Sequence, residues 1–170
     1  DNGNISDAYA FKAQAYDTIS PSSPGAPILS TSADAPAEDS DTGVEGDNIT
    51  SDNTPTLRAT TAVTNTLTFF VDANGNDNMD LGEFLATSKA LGKGDIFGYA
   101  ESTVALKDGT YEIKAFATDI GNSDSAPSTV TKITIDTTAP EVTNISVNDK
   151  TLSEADAGKG TFTVTVDYNE

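Results

Sequence analysis

Between Asp72 and Glu83 the chain reads DANGNDNMDLGE, with an oxygen-bearing side chain at every second place as far as Asp80. Asp72, Asn74, Asn76, Asn78, Asp80 and Glu83 fall at positions 1, 3, 5, 7, 9 and 12 of a twelve-residue loop, the spacing of an EF-type calcium loop. Calcium takes about six to eight oxygens in a loose shell, and alternate side chains of a tightly wound loop converge on one point. In that reading Asn78 contributes its backbone carbonyl and Glu83 clamps the ion with both oxygens. Position 6, where Gly is usual, carries Asp77, a residue type that tolerates a left-handed backbone. Neutral Asn at positions 3 and 5 leaves three carboxylates, Asp72, Asp80 and Glu83, so the expected affinity is weak, roughly 10⁻⁴ M. The same residues also read as a hairpin turn, since Asn74-Gly75 is a turn signal by itself. A plain turn, however, gives no reason for Glu83.

The whole chain suits a cation-binding role. Its 170 residues carry 27 acidic and 9 basic side chains, a net charge of −18. A field of that sign repels nucleic acid and anionic membrane, attracts divalent cations, and also suits a merely soluble surface. A second acidic run, SADAPAEDSDTGVEGDNITSDNTP over 32–55, holds seven acids and no base. It reads either as a self-repelling solvated loop or as a source of ligands, Asp39 and Asp41, for an ion shared with Asp119 and Asp136. With no Cys and no His, disulfides, zinc–thiolate sites and the familiar base–nucleophile pairs are excluded, and no catalytic residue is assigned. No apolar run is long enough to insert in a membrane.

The elements that must carry these residues are strands. Leu67, Phe69 and Val71 alternate in TLTFFVD, as do Tyr111, Ile113, Ala115 and Ala117 in GTYEIKAFATD. Thr131, Ile133 and Ile135 alternate in STVTKITID, and Phe162, Val164, Val166 and Tyr168 in TFTVTVDY. Period two over such lengths predicts half-buried strands, and several at short spacing predict an all-β sandwich. EFLATSKALG, over 83–92, has helical spacing, but the glycines that follow and the surrounding pattern favour a short strand. Phe70 and Phe116 fall on the faces opposite the apolar stripes; exposed together, they would mark a binding surface.

An internal repeat orders the chain. DNGNIS and YDTISP, at 1–6 and 16–21, return as DIGNSD and IDTTAP, at 119–124 and 135–140. The expected organisation is the tail of one module over 1–20, a complete module over 21–139, and the first strands of another over 140–170, a slice of a tandem array.

The motifs DSDTGVEGDNITSDNTPTL, VDANGNDNMDLGE, LKDGTYEIKAFATDIGNSDSAPS and TVTKITIDTTAP, in that order, resemble the Ig-like repeats of giant secreted bacterial adhesins, including RTX-type biofilm adhesins. The resemblance implies an Ig-like β-sandwich, export to the bacterial cell surface, and calcium at the junctions with neighbouring modules of the same chain. It also implies that Asp41, Asp119 and Asp136 are where junction calcium is held. The expected function is a calcium-stabilised extracellular spacer that extends a distal adhesive domain. The alternatives are an Ig-like module that binds a glycan or cell-surface ligand directly, and an accessory domain of a secreted polysaccharide-degrading enzyme.

Overall fold

The structure, a computed structural model, describes residues 19–31, 33, 39–148, 151, 153–154 and 162–169. The chain divides into two compact units, residues 1–136 and 137–170. Residues 1–18 of the expected 1–20 piece lie outside the described residues.

Among the described residues eight strands build the first unit: β1 (Ile28–Leu29), β2 (Ile49–Thr50), β3 (Thr56–Thr60), β4 (Thr66–Val71), β5 (Phe84–Thr87), β6 (Phe97–Glu101), β7 (Gly109–Thr118) and β8 (Thr131–Ile135). They form two sheets, β1-β3-β6 and β2-β8-β7-β4-β5, in which only β2 and β8 run parallel. The alternating apolar positions turn inward and meet between the sheets. Leu29, Leu57 and Ala59 come from the small sheet, and Leu67, Phe69, Leu85, Ile113, Ala115, Ala117, Ile133 and Ile135 from the large one. The result is a β-sandwich, as period two predicts.

Strand β5 departs from simple alternation for a local reason. Between β4 and β5 the register slips, Phe69 facing Ala86 and Phe70 facing Phe84, so Leu85 is an extra residue. This bulge lets Leu85 and Ala86 both enter the core, which explains the lack of period two in FLAT. The stretch before β8 contains Pro127, which has no N–H to give. There the ladder along β7 is continued by serines: Ser128 Oγ accepts the Ala115 N–H and Ser125 Oγ the Ala117 N–H.

Gly98 lies where β6 passes close to Leu67 of the large sheet. A Cβ there would stand 2.8 Å from Leu67 Cδ1 and 2.9 Å from Leu91 Cδ1. Gly98→Ala is therefore expected to cost about 1–3 kcal/mol by overpacking, read as a lower urea midpoint.

The second unit contains β9 (Val142–Val147) paired antiparallel with β10 (Val164–Tyr168). Half-burial was expected of this segment, yet Phe162, Val164, Val166 and Tyr168 are all exposed. A two-stranded ribbon buries a face only when another layer covers it, and the described residues of this unit form the ribbon alone.

Candidate metal centre

The loop over 72–83 grows from the end of β4. Strand pairing carries past Val71, and the Asp72 N–H donates to the Glu112 carbonyl at 2.8 Å. Asp72 thus starts the loop from a fixed backbone, with its side chain fully buried. From there the loop is wound by its own side chains. Asp72 Oδ1 accepts the Asn76 N–H, Asn74 Oδ1 accepts the same N–H, and Asn76 Oδ1 accepts the Asn78 N–H. The last two are successive Asx turns, the local geometry that short amides and carboxylates favour. Asp77 at position 6 has φ 63°, the left-handed conformation that the loop requires and that Asp tolerates.

Several of the expected ligands are brought together. Asn74 Nδ2 and Asn76 Nδ2 both donate to Asp80 Oδ2, at 2.8 and 2.9 Å, so positions 3, 5 and 9 converge on one point. Glu83 turns back into the loop, where Oε1 accepts the Ala73 N–H and Oε2 the Asp80 N–H. Asn78 Nδ2 donates to the Asn76 carbonyl. The expected two-oxygen clamp by Glu83 is thus replaced by two loop-closing hydrogen bonds. Among the described residues no three carboxylates stand close enough together to hold a metal.

A cation is nevertheless seated against the loop. Lys114, on the outer face of β7 and directly across from Phe70 on β4, points its ammonium at Asp72 Oδ2, 2.6 Å away, and at Asp77 Oδ1. Its side chain is only 12% exposed. The hydrogen bond from Lys114 holds the Asp72 carboxyl below its ordinary pKa, against the upward push of burial. Reciprocally, Asp72 first and Asp77 second hold the Lys114 ammonium above its ordinary pKa. Sequence reasoning missed Lys114, because it lies 42 residues from Asp72 and only strand register joins them. The available signal was its place in GTYEIKAFATD, on the face opposite the apolar stripe.

The donor set fits a divalent cation by its chemistry. The side chains at positions 3, 5 and 9 meet at Asp80 Oδ2, the left-handed turn is in place, and Asp72 already holds one positive group. Asp72, Asn74, Asn76, Asp80 and Glu83 are the residues whose side chains would hold calcium there, with the Asn78 carbonyl.

The other predicted ligands separate into two ends. Asp41 is 5% exposed, with Oδ2 accepting the Gly46 N–H at 2.6 Å. Its Oδ1 is buried and has no hydrogen-bond partner among the described residues. Asp39, exposed, accepts the Asp41 N–H. The Asp136 N–H donates to the Thr50 carbonyl, and Thr42, next to Asp41, bonds Thr50 Oγ1, so Asp41 and Asp136 share one end of the sandwich. Asp119 follows the last residue of β7, whereas Asp136 follows Ile135, the partner of the first residue, Gly109. The ten residues of β7 separate them by roughly 30 Å, so one ion within this module cannot take both. Asp119 instead closes its own turn, accepting the Gly121 and Ser123 N–H groups. Of the acidic run, residues 32 and 34–38 lie outside the described residues.

Phe70 and Phe116 form a tilted ring pair 6.1 Å apart on the outer face. Phe70 is fully buried and Phe116 half-buried, and Asp77, Asn78 and Met79 of the loop line the same small recess. The loop thus folds back beside the ring pair, while Phe84, across from Phe70 on β5, stays exposed.

A family model described as the bacterial Ig-like domain matches residues 28–137, the span that contains both sheets and the loop. No curated protein matches the chain. No helix among the described residues is long and apolar enough to cross a membrane. Domains of this kind are commonly extracellular structural or adhesive modules of bacteria. With its two-sheet sandwich and a match over most of its length, this chain belongs to the bacterial Ig-like domain family.

Proposed function

We propose that this chain is a calcium-stabilised spacer from a secreted bacterial surface adhesin, serving to hold a distal adhesive domain away from the cell. One observation carries the reading: the 72–83 loop is closed, with side chains from positions 1, 3, 5, 9 and 12 turned inward, and a positive group already rests on its first carboxylate. An excess of 18 negative charges, unneutralised, opposes compaction, and a divalent ion that binds only the folded chain relieves it. Asp41, with its orphaned buried oxygen, and Asp136 at one end, and Asp119 at the other, are the carboxylates we assign to calcium at the module's ends. The direct-binding alternative called for Phe70 and Phe116 to be exposed together, and Phe70 is buried.

Thermal unfolding in chelator and in millimolar calcium tests this. One site at ten times its dissociation constant adds about 1.4 kcal/mol. For a domain of this size that is a rise in midpoint of roughly 5–10 °C. A midpoint that ignores calcium removes the ion from the account, and leaves the family assignment intact.

A further inference from the structure

We propose that Lys114 is a tethered competitor for the cation of the 72–83 loop, closing the loop when calcium is scarce and setting the calcium level at which the ion takes over. The inference rests on reading the loop as a calcium site and adds to it the residue that regulates occupancy.

Asp72 is the ligand both cations need. Its side chain has no exposed surface, and its oxygens are divided between the N–H groups of Asn76 and Asp77 and the Lys114 ammonium. A second cation cannot reach that carboxylate at full strength while the ammonium stays, because like charges a few ångströms apart in a buried setting repel strongly. Nor is Lys114 a passing surface partner. It projects from the middle of β7, a strand whose pairing with β4 holds its backbone opposite Phe70, and its side chain is nearly enclosed. An amine fixed in that way acts at the effective concentration of an intramolecular ligand, which calcium from solution must outcompete.

The geometry also provides for the exchange. Asp77, the second partner of Lys114, sits at position 6, which offers no side-chain ligand in the twelve-residue pattern, and its side chain is 70% exposed. The ammonium can therefore give up Asp72 and keep Asp77, so that neither charge is stranded.

Calcium titration into chelator-treated protein, followed by calorimetry, tests the proposal on the wild type, Lys114→Met and Lys114→Gln; the Gln variant keeps length and polarity should Met prevent folding. Melting of each in chelator and in calcium is the second readout. Competition predicts that both substitutions tighten calcium binding by about tenfold or more. It also predicts that they lower the melting point in chelator and enlarge the rise that calcium produces. Wild-type binding with unchanged or weaker affinity in both variants overturns the competition while leaving the loop a calcium site. Binding by neither wild type nor variants overturns both readings. Binding by the variants alone upholds Lys114 as competitor and overturns calcium stabilisation of the natural chain.

Discussion

Asp72→Ala is expected to destabilise the first unit by about 3 kcal/mol in the absence of calcium, a larger effect than any other substitution in the loop. Removing one partner of a buried ion pair typically costs about 3–5 kcal/mol, because the charge left behind has lost its water and its partner together. Here the lower end applies, since Asp77 keeps one bond to the ammonium. The substitution also strips the Asp77 N–H of its acceptor, leaves the Asn76 N–H with Asn74 Oδ1 alone, and loosens the first turn of the loop. Asp80→Ala provides the contrast. Asp80 is exposed and its carboxylate receives only the amides of Asn74 and Asn76, so its loss is expected to cost less than about 1 kcal/mol. Urea denaturation of the two variants in chelator makes the comparison. Adding Lys114→Met to Asp72→Ala should recover part of the loss, because the double variant buries no unpaired charge. Equal costs for the two aspartates would mean that the Asp72–Lys114 pair does not hold the loop.

Phe69→Ala is expected to cost about 3–5 kcal/mol. Phe69 is fully buried on β4, a strand flanked on both sides within its sheet, and its ring fills the space between the two sheets. Truncation removes the transfer energy of the ring and leaves a cavity that the paired strands cannot collapse to fill. Against a total of about 5–15 kcal/mol for a domain, that loss brings the sandwich to the edge of unfolding at moderate temperature. The urea midpoint should fall steeply with little change in slope. A cost below about 1 kcal/mol would show that the core is centred elsewhere.

The parts of the fold legible in the sequence are those decided within one strand. Leu67 and Phe69, and Ile113, Ala115 and Ala117, announce their burial by alternation, because a pleated strand on a half-buried sheet has no other way to satisfy its side chains. Features decided between strands were not legible. The extra residue at Leu85 comes from register with β4, and the partnership of Lys114 with Asp72 comes from β7 lying beside β4. Phe70 looked like an outward ring because its strand has the right period; its burial depends on where the loop folds back. Asp119 and Asp136 belong to similar repeated motifs and looked like partners. Antiparallel pairing of β7 with β8 sends them to opposite ends. The loop itself lies between the two cases. Its ligand spacing and the left-handed turn at Asp77 are local and readable, while the cation resting on it is not.

The most direct test of the central claim, that the 72–83 loop receives calcium in place of Lys114, is a residue-resolved calcium titration by nuclear magnetic resonance on the chelated chain. The account predicts that amide signals from Asp72 to Glu83, together with the Lys114 side-chain signals, shift and saturate in a common millimolar transition. Loop and Lys114 signals that stay unmoved through millimolar calcium would contradict it.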